Sequence, residues 1–189
     1  VPGDRVTHDE RRGVSLRTAE PDDAPFLQQS HTRPAIRVPL GSQVRTVHEL
    51  GDRIEADERF VVCVDDTGTP PPDPDDATRV GAVTVADADW RRPELGYWLV
   101  PEHHGEGVGE TAVGLLVDYV FRTYDHPAVG AAAYAFNDAS RGLLESLGFE
   151  REGTTRRDRF VDGEYVDTVQ YGLLREHWWA DHPPSWRET

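Results

Sequence analysis

The chain contains no lysine and only one cysteine, Cys63, and nowhere does it approach the ~18 to 20 consecutive apolar residues that a membrane-spanning helix requires. Each absence excludes something. One thiol supports neither an internal disulfide nor a cysteine zinc cluster, and within Phe60-Val61-Val62-Cys63-Val64 it reads as a small core residue. The first 13 residues are polar and arginine-bearing, with no apolar signal core, so a soluble, cytoplasmic protein is expected. All basic charge comes from arginine: 20 Lys+Arg stand against 35 Asp+Glu, a formal net charge of -15. No basic cluster offers the phosphate-neutralising stripe that nucleic acid needs, so direct nucleic-acid binding is not expected. The acidic excess is spread along the whole chain, the pattern of halophilic proteins, whose self-repulsion is tolerable where a Debye length of ~3 Å at 1 M salt screens it. The alternative is an acidic surface that attracts a cationic substrate.

At 189 residues the chain fits a single domain. Residues 1–13 read as a flexible leader, 14–178 as the domain and 179–189 as a tail. Val14 to Thr18 alternates as a strand, Glu20-Pro21-Asp22-Asp23 starts a helix before Phe26-Leu27, and Val47, Leu50 and Ile54 mark a second helix over roughly 45–57. Pro34, Pro39 and Gly41 predict turns between them. Arg59 to Asp65 and Arg79 to Val85 predict antiparallel strands around a Pro/Asp-rich loop from Thr67 to Thr78. A strand follows from Pro93 to Val100, with Leu95, Tyr97 and Leu99 on one face and Glu94, Gly96 and Trp98 on the other. Val108 to Thr123 has the apolar period of an amphipathic helix. Val129 to Phe136 predicts a strand, Asn137-Asp138 caps a short helix ending at Leu147, and Arg156 to Val161 with Tyr165 to Leu174 predicts a closing hairpin.

Chemistry concentrates in His104-Gly105-Glu106-Gly107-Val108-Gly109-Glu110. Glycines after a strand and opening a helix let successive backbone N–H groups face one point, a cradle for phosphate. Many such turns are only tight connections. No Gly-Lys-Ser/Thr closes a nucleotide P-loop, and no acidic residue follows a further strand in dinucleotide-binding fashion. His103-His104 lacks a third ligand at metal spacing, so no metal is expected.

The segment resembles the pyrophosphate motif of the GNAT family of acetyl-CoA-dependent N-acetyltransferases, and the chain is most similar to the branch that acts on ribosomal-protein N-termini. That motif begins with Gln or Arg, where this chain has His104. Two further signatures support the resemblance: Gly96-Tyr97-Trp98 before the motif, and Asn137-Asp138-Ala139-Ser140 with Leu147-Gly148-Phe149 after it. The closing hairpin, through Trp178, is a third. The resemblance implies an α/β (α+β) fold, a mixed, mostly antiparallel sheet of about seven strands flanked by about four helices. It also implies acetyl-CoA as cosubstrate, bound by Trp98, Leu99, Val100, His104, Gly105, Glu106, Gly107, Val108, Gly109, Glu110, Asn137 and Ser140. The pantetheine arm is expected along the Trp98 to Val100 edge, with a backbone N–H near Leu99 or Val100 on the thioester carbonyl. Arg141 is a candidate for a cofactor phosphate or a solvated helix arginine.

Two residues are expected to carry proton transfer. Glu94 is the candidate base, acting through water, or else an exposed acid at a strand start. Ser140 is the candidate proton donor to the thiolate, or else a helix-end hydroxyl; the tyrosine of many relatives is Leu144 here. The expected acceptor is a primary amine, a ribosomal or other protein N-terminus. A small-molecule amine acetyltransferase and a non-catalytic acyl-CoA-binding module remain as alternatives. Trp178, Trp179 and Trp186 are expected to pack on the domain or on a twin subunit in a homodimer.

Overall fold

The structure, a computed structural model, describes residues 5–9, 13–56, 58–65 and 77–183. Among the described residues eight strands form one sheet, in the order β1-β2-β3-β4-β5-β6-β8-β7. They are β1 (Arg5–Asp9), β2 (Val14–Thr18), β3 (Glu58–Val64), β4 (Thr78–Ala86), β5 (Glu94–Leu99), β6 (Ala128–Tyr134), β7 (Glu150–Val161) and β8 (Glu164–Leu174). Every pairing is antiparallel except β5 with β6, which is parallel and limited to Glu94 opposite Gly130 and Leu95 opposite Ala131. Beyond those two positions the strands part. That separation opens the sheet at its centre.

Helices cover both faces. α1 (Ala24–His31), α2 (Pro34–Leu40) and α3 (Val47–Ala56) lie on one side, while α4 (Val108–Thr123), α5 (Asp138–Ser146) and α6 (Arg175–Asp181) lie on the other. α4 is buried along Ala112, Val113, Leu116, Val117 and Val120, an i, i+4 stripe set into the sheet by its sequence period. The opposite face is smaller, with Leu27, Leu50 and Ile54 closing over Ala82. Cys63 is buried in β3, as expected of a core residue.

Two boundaries need correction. Residues 5–9, expected within a flexible leader, form β1 and pair antiparallel with β2, covering a sheet edge that would otherwise present unpaired backbone groups. At the other end, α6 runs past 178 to Asp181, so the tail begins later. The turns expected after Ser30 include α2: Pro34 occupies its first turn, where a missing N–H costs nothing, and Gly41 ends it at φ 58°. Most of the Thr67 to Thr78 loop, and Trp186, lie outside the described residues.

A buried ion pair ties β2 to the start of α1. Arg17 donates two hydrogen bonds to Asp23, of 2.8 and 2.6 Å, and both side chains are almost wholly excluded from solvent. The Glu20 N–H and Arg79 also reach the Asp23 carboxylate.

Candidate active site

A cleft of about 750 Å³ follows the gap between β5 and β6, walled by α2 on one side and by the α4 and α5 N-termini on the other. At one end, Gly105 and Gly107 both adopt φ 79°, a left-handed conformation that glycine enters without strain. This bends the chain so that α4 begins facing the cleft. Within α4 the first helical bond is Thr111 N–H to the Gly107 carbonyl, so the amides of Val108, Gly109 and Glu110 have no partner inside the helix. Three amides and the positive helix end suit a dianionic pyrophosphate. The geometry therefore fits the phosphate portion of coenzyme A without a lysine.

Of the residues expected to bind the cosubstrate, Trp98, Leu99, His104, Gly105, Gly107, Gly109, Glu110, Asn137 and Ser140 line this cleft. Val100, Glu106 and Val108 do not line it with their side chains. Val108 is buried in the core, and Glu106 accepts a 3.2 Å bond from His103 Nδ1. Gly109 has a second constraint: a Cβ there would stand 2.9 Å from Leu143, so its smallness lets α5 approach α4. His104 donates from Nε2 to the Leu99 carbonyl at 3.2 Å, bracing the turn against β5. Arg141 is occupied by the Ala135 carbonyl and Asp138 and does not reach the cleft, which favours its structural reading.

Backbone register decides between the two candidate amides of β5. Val100 N–H donates to the Val80 carbonyl at 2.7 Å, so it is consumed by the sheet and cannot serve a carbonyl in the cleft. Because antiparallel bonding alternates, the Leu99 N–H turns the other way, toward the gap where β6 has departed. Of the two candidates, the Leu99 N–H is the one that the pairing with β4 leaves unused.

The hydroxyl of Ser140 lies 2.7 Å from that of Tyr97, which also reaches the Ser140 carbonyl at 3.1 Å. Asn137 caps α5, accepting from the Ser140 backbone N–H at 3.2 Å, so the Ser140 side chain takes no part in the cap. Burial pushes the Tyr97 phenol up to about 12, against a smaller opposing effect of the Ser140 bond. It stays protonated at neutral pH. In the sequence Tyr97 stands out as one residue of an alternating strand and of the Gly96-Tyr97-Trp98 signature, without a proton-transfer role; no local spacing connects it to Ser140, 43 positions later.

Glu94 lies at the closed end of the gap, packed over Gly130 so tightly that a Cβ there would meet its Oε1 at 2.3 Å. Burial raises its pKa, with Arg92 at 3.4 Å pulling the other way. By strand alternation Glu94 faces α1 and Tyr97 faces α5, on opposite sides of the sheet. The structure thus does not bring Glu94 and Ser140 together directly.

The cradle yields a first prediction. Gly107→Asp would place a carboxylate at the α4 N-cap, where it can accept the same amides that a pyrophosphate needs; Asp tolerates a left-handed backbone better than most residues. Acetyl-CoA affinity is expected to fall at least ~10-fold by calorimetry, a loss of ~1.4 kcal/mol, while the fold is retained. Unchanged affinity would remove the cradle assignment.

Comparison with known proteins places these features in a family. Residues 14–150 match the family described as "Acetyltransferase (GNAT) domain". YdaF of Bacillus subtilis, which carries the name of a ribosomal N-acetyltransferase, is 32% identical over 105 residues, 54% of this chain and 57% of YdaF. The spermidine N(1)-acetyltransferase of Escherichia coli is 23% identical over 179 residues, covering 89% of this chain and 90% of that enzyme. The crystal structure of spermidine N-acetyltransferase from Vibrio cholerae, solved with CoA and spermine, superposes with a TM-score of 0.76 at 22% identity, covering 88% of this chain and 98% of that one. The expected α/β, mostly antiparallel fold is the fold of that neighbour.

Proposed function

The chain belongs to the GNAT acetyltransferase family, and on that premise we propose that it transfers the acetyl group of acetyl-CoA to a primary amine, the α-amine of a peptide or protein N-terminus. One observation carries this reading. The glycine cradle, the outward Leu99 amide and the Tyr97–Ser140 hydroxyl pair all border a single cleft. They are the three things acyl transfer from a bound thioester asks for.

Coenzyme A supplies the chemistry of an activated acetyl thioester. The Leu99 N–H is positioned to stabilise negative charge developing on its carbonyl oxygen. As the amine nitrogen bonds to the acetyl carbon, the carbon–sulfur bond breaks and the departing thiolate takes the Ser140 proton. Tyr97 holds the Ser140 oxygen in place, and solvent in the open cleft returns the proton to it. The amine's own proton leaves through water toward Glu94, whose raised pKa makes it a better base than an ordinary exposed carboxylate. An α-amine, with pKa ~7.7 to 8.0, is already about a tenth neutral at pH 7, and this modest base suffices for it. A lysine-type amine near ~10.4 would ask more.

The test is thiol release from acetyl-CoA across N-terminal peptides, polyamines and small amines. Turnover with peptides is expected. Turnover confined to polyamines or other small amines would overturn the acceptor, and acetyl-CoA binding with no thiol release from any amine would favour the non-catalytic alternative. The composition supports a second expectation, that the melting temperature rises from low to molar potassium chloride as screening relieves self-repulsion. A flat response would contradict the halophilic reading.

A further inference from the structure

A second recess, of about 420 Å³, opens beside the cleft on the α1 and α3 side of β5, and the two share Leu40 and the strand segment Gly96 to Trp98. Its charge is unlike that of the rest of the chain. Arg45, Arg53 and Arg59 line it together with His31, and among the described residues no Asp or Glu lines it, although the protein as a whole carries -15. The cleft itself mixes both signs, with Glu94, Glu110 and Asp158 beside Arg91 and Arg159.

The sequence holds these groups in place. Thr46 and Glu49 form a reciprocal cap at the start of α3: the Glu49 N–H donates to Thr46 Oγ1 at 3.2 Å, and the Thr46 N–H donates to the Glu49 carboxylate at 2.8 Å. This fixes the chain at Arg45, immediately before the helix, and Arg53 follows two turns later. His31, the last residue of α1, is more than nine-tenths buried, with its ring edge-on to Trp98 at 5.2 Å between centroids. Burial, and then the charges of Arg59 and Arg45, hold its imidazole below the usual range, so it is neutral near pH 7. Its Nε2 is buried with no hydrogen-bond partner. Leaving such a group unsatisfied is costly, and a bound acceptor atom would remove the cost.

We propose that this recess is a carboxylate subsite of the acceptor, with Arg45, Arg53 and His31 Nε2 receiving an acidic side chain near the N-terminus of the peptide whose α-amine enters the cleft. The inference rests on the peptide-acetylating reading and narrows it to acidic N-termini. Guanidinium groups match carboxylates in shape and charge, and they repel polyamines. An extended peptide advances ~3.3 to 3.6 Å per residue, so an acid at the second or third position lies within ~10 Å of the amine, the scale of two neighbouring pockets that share one strand. A carboxylate could equally come from a free amino acid, whose acid and amine lie on one carbon.

The test is calorimetry on the complex with unacetylated CoA, at the lowest salt that keeps the protein folded. The probes are the peptide Ser-Asp-Glu-Ala-Ala-amide, its Ser-Asn-Gln-Ala-Ala-amide counterpart, free aspartate and spermidine. The acidic peptide is expected to bind at least ~10-fold more tightly than its amide counterpart. Arg45→Gln together with Arg53→Gln is expected to bring that ratio close to one. Both arginines are partly or fully exposed, and acetyl-CoA affinity measured on the same variant confirms its fold. Equal binding of the two peptides, or a ratio that survives the double substitution, would overturn the subsite even if both peptides are acetylated. Free aspartate binding as tightly as the acidic peptide would overturn the peptide as the source of the carboxylate. Arginine-dependent binding of the acidic peptide without any thiol release would sustain the subsite and sink the transfer reading.

Discussion

Ser140→Ala is expected to lower kcat by ~10²-fold or more while acetyl-CoA affinity stays near the wild-type value, the signature of a proton donor used only in the transition state. The rival reading, a hydroxyl that caps the helix, has no hydrogen bond to carry it. Asn137 caps α5 through the Ser140 backbone N–H, and an alanine at 140 keeps that amide. The substitution should therefore cost little stability. Single-turnover rates and a melting curve on one purified variant separate the outcomes, and near wild-type turnover would sink the assignment.

Tyr97→Phe supplies an internal control. Its hydroxyl is the group 2.7 Å from Ser140 Oγ, so its loss should lower kcat by ~10-fold by leaving the serine proton poorly oriented, with little change in KM. In the Ser140→Ala background the same change should add almost nothing, because the two act as one unit. With the phenol held at about 12, chiefly by burial, Tyr97 should contribute no break in the pH–rate profile between pH 7 and 10. Independent, additive losses would mean that Tyr97 only packs the cleft wall.

Much of this site was legible in the chain before any coordinates, and the reason is locality. The glycine turn, the strand before it and the helix from Val108 to Thr123 are contiguous, and their periods and caps are short-range signals. Asn137 and Ser140 are three residues apart and belong to one cap. What sequence did not expose depends on register or on long-range approach. Choosing Leu99 over Val100 requires knowing which amides β4 consumes, which follows only from the pairing of Val80 with Val100. Tyr97 meets Ser140, and His31 meets Arg45 and Trp98, only after helices dock on opposite faces of β5. α2 was hidden because its prolines signal turns, although one in the first turn is compatible with a helix. β1 was hidden because a single polar edge strand has no apolar period of its own to announce it.

Asp23→Ala is expected to destabilise the fold by ~3 to 5 kcal/mol, the range for removing one partner of a buried ion pair. Arg17 would be left as an uncompensated guanidinium, 3% exposed. For a domain of this size that loss corresponds to a melting temperature lower by roughly 6 to 20 °C. Acid should act in the same direction. Burial alone would raise the Asp23 pKa, but the bonds from Arg17 and the Glu20 amide outweigh it and carry the group below its ordinary 3.8. A depressed carboxylate pKa contributes stability that is fully present above the unfolded value and is lost as pH falls through the folded one, so the contribution should begin to decline near pH 3.8 and vanish only once the pH has passed below the depressed folded value. Wild type and Asp23→Ala should therefore differ widely in melting temperature at pH 7 and converge in strong acid. Replacing both partners, as Arg17→Met with Asp23→Leu, removes the buried charge along with its counterion and should restore much of the lost stability. If Asp23→Ala melts within 2 °C of wild type at pH 7, the pair is not what holds β2 to α1.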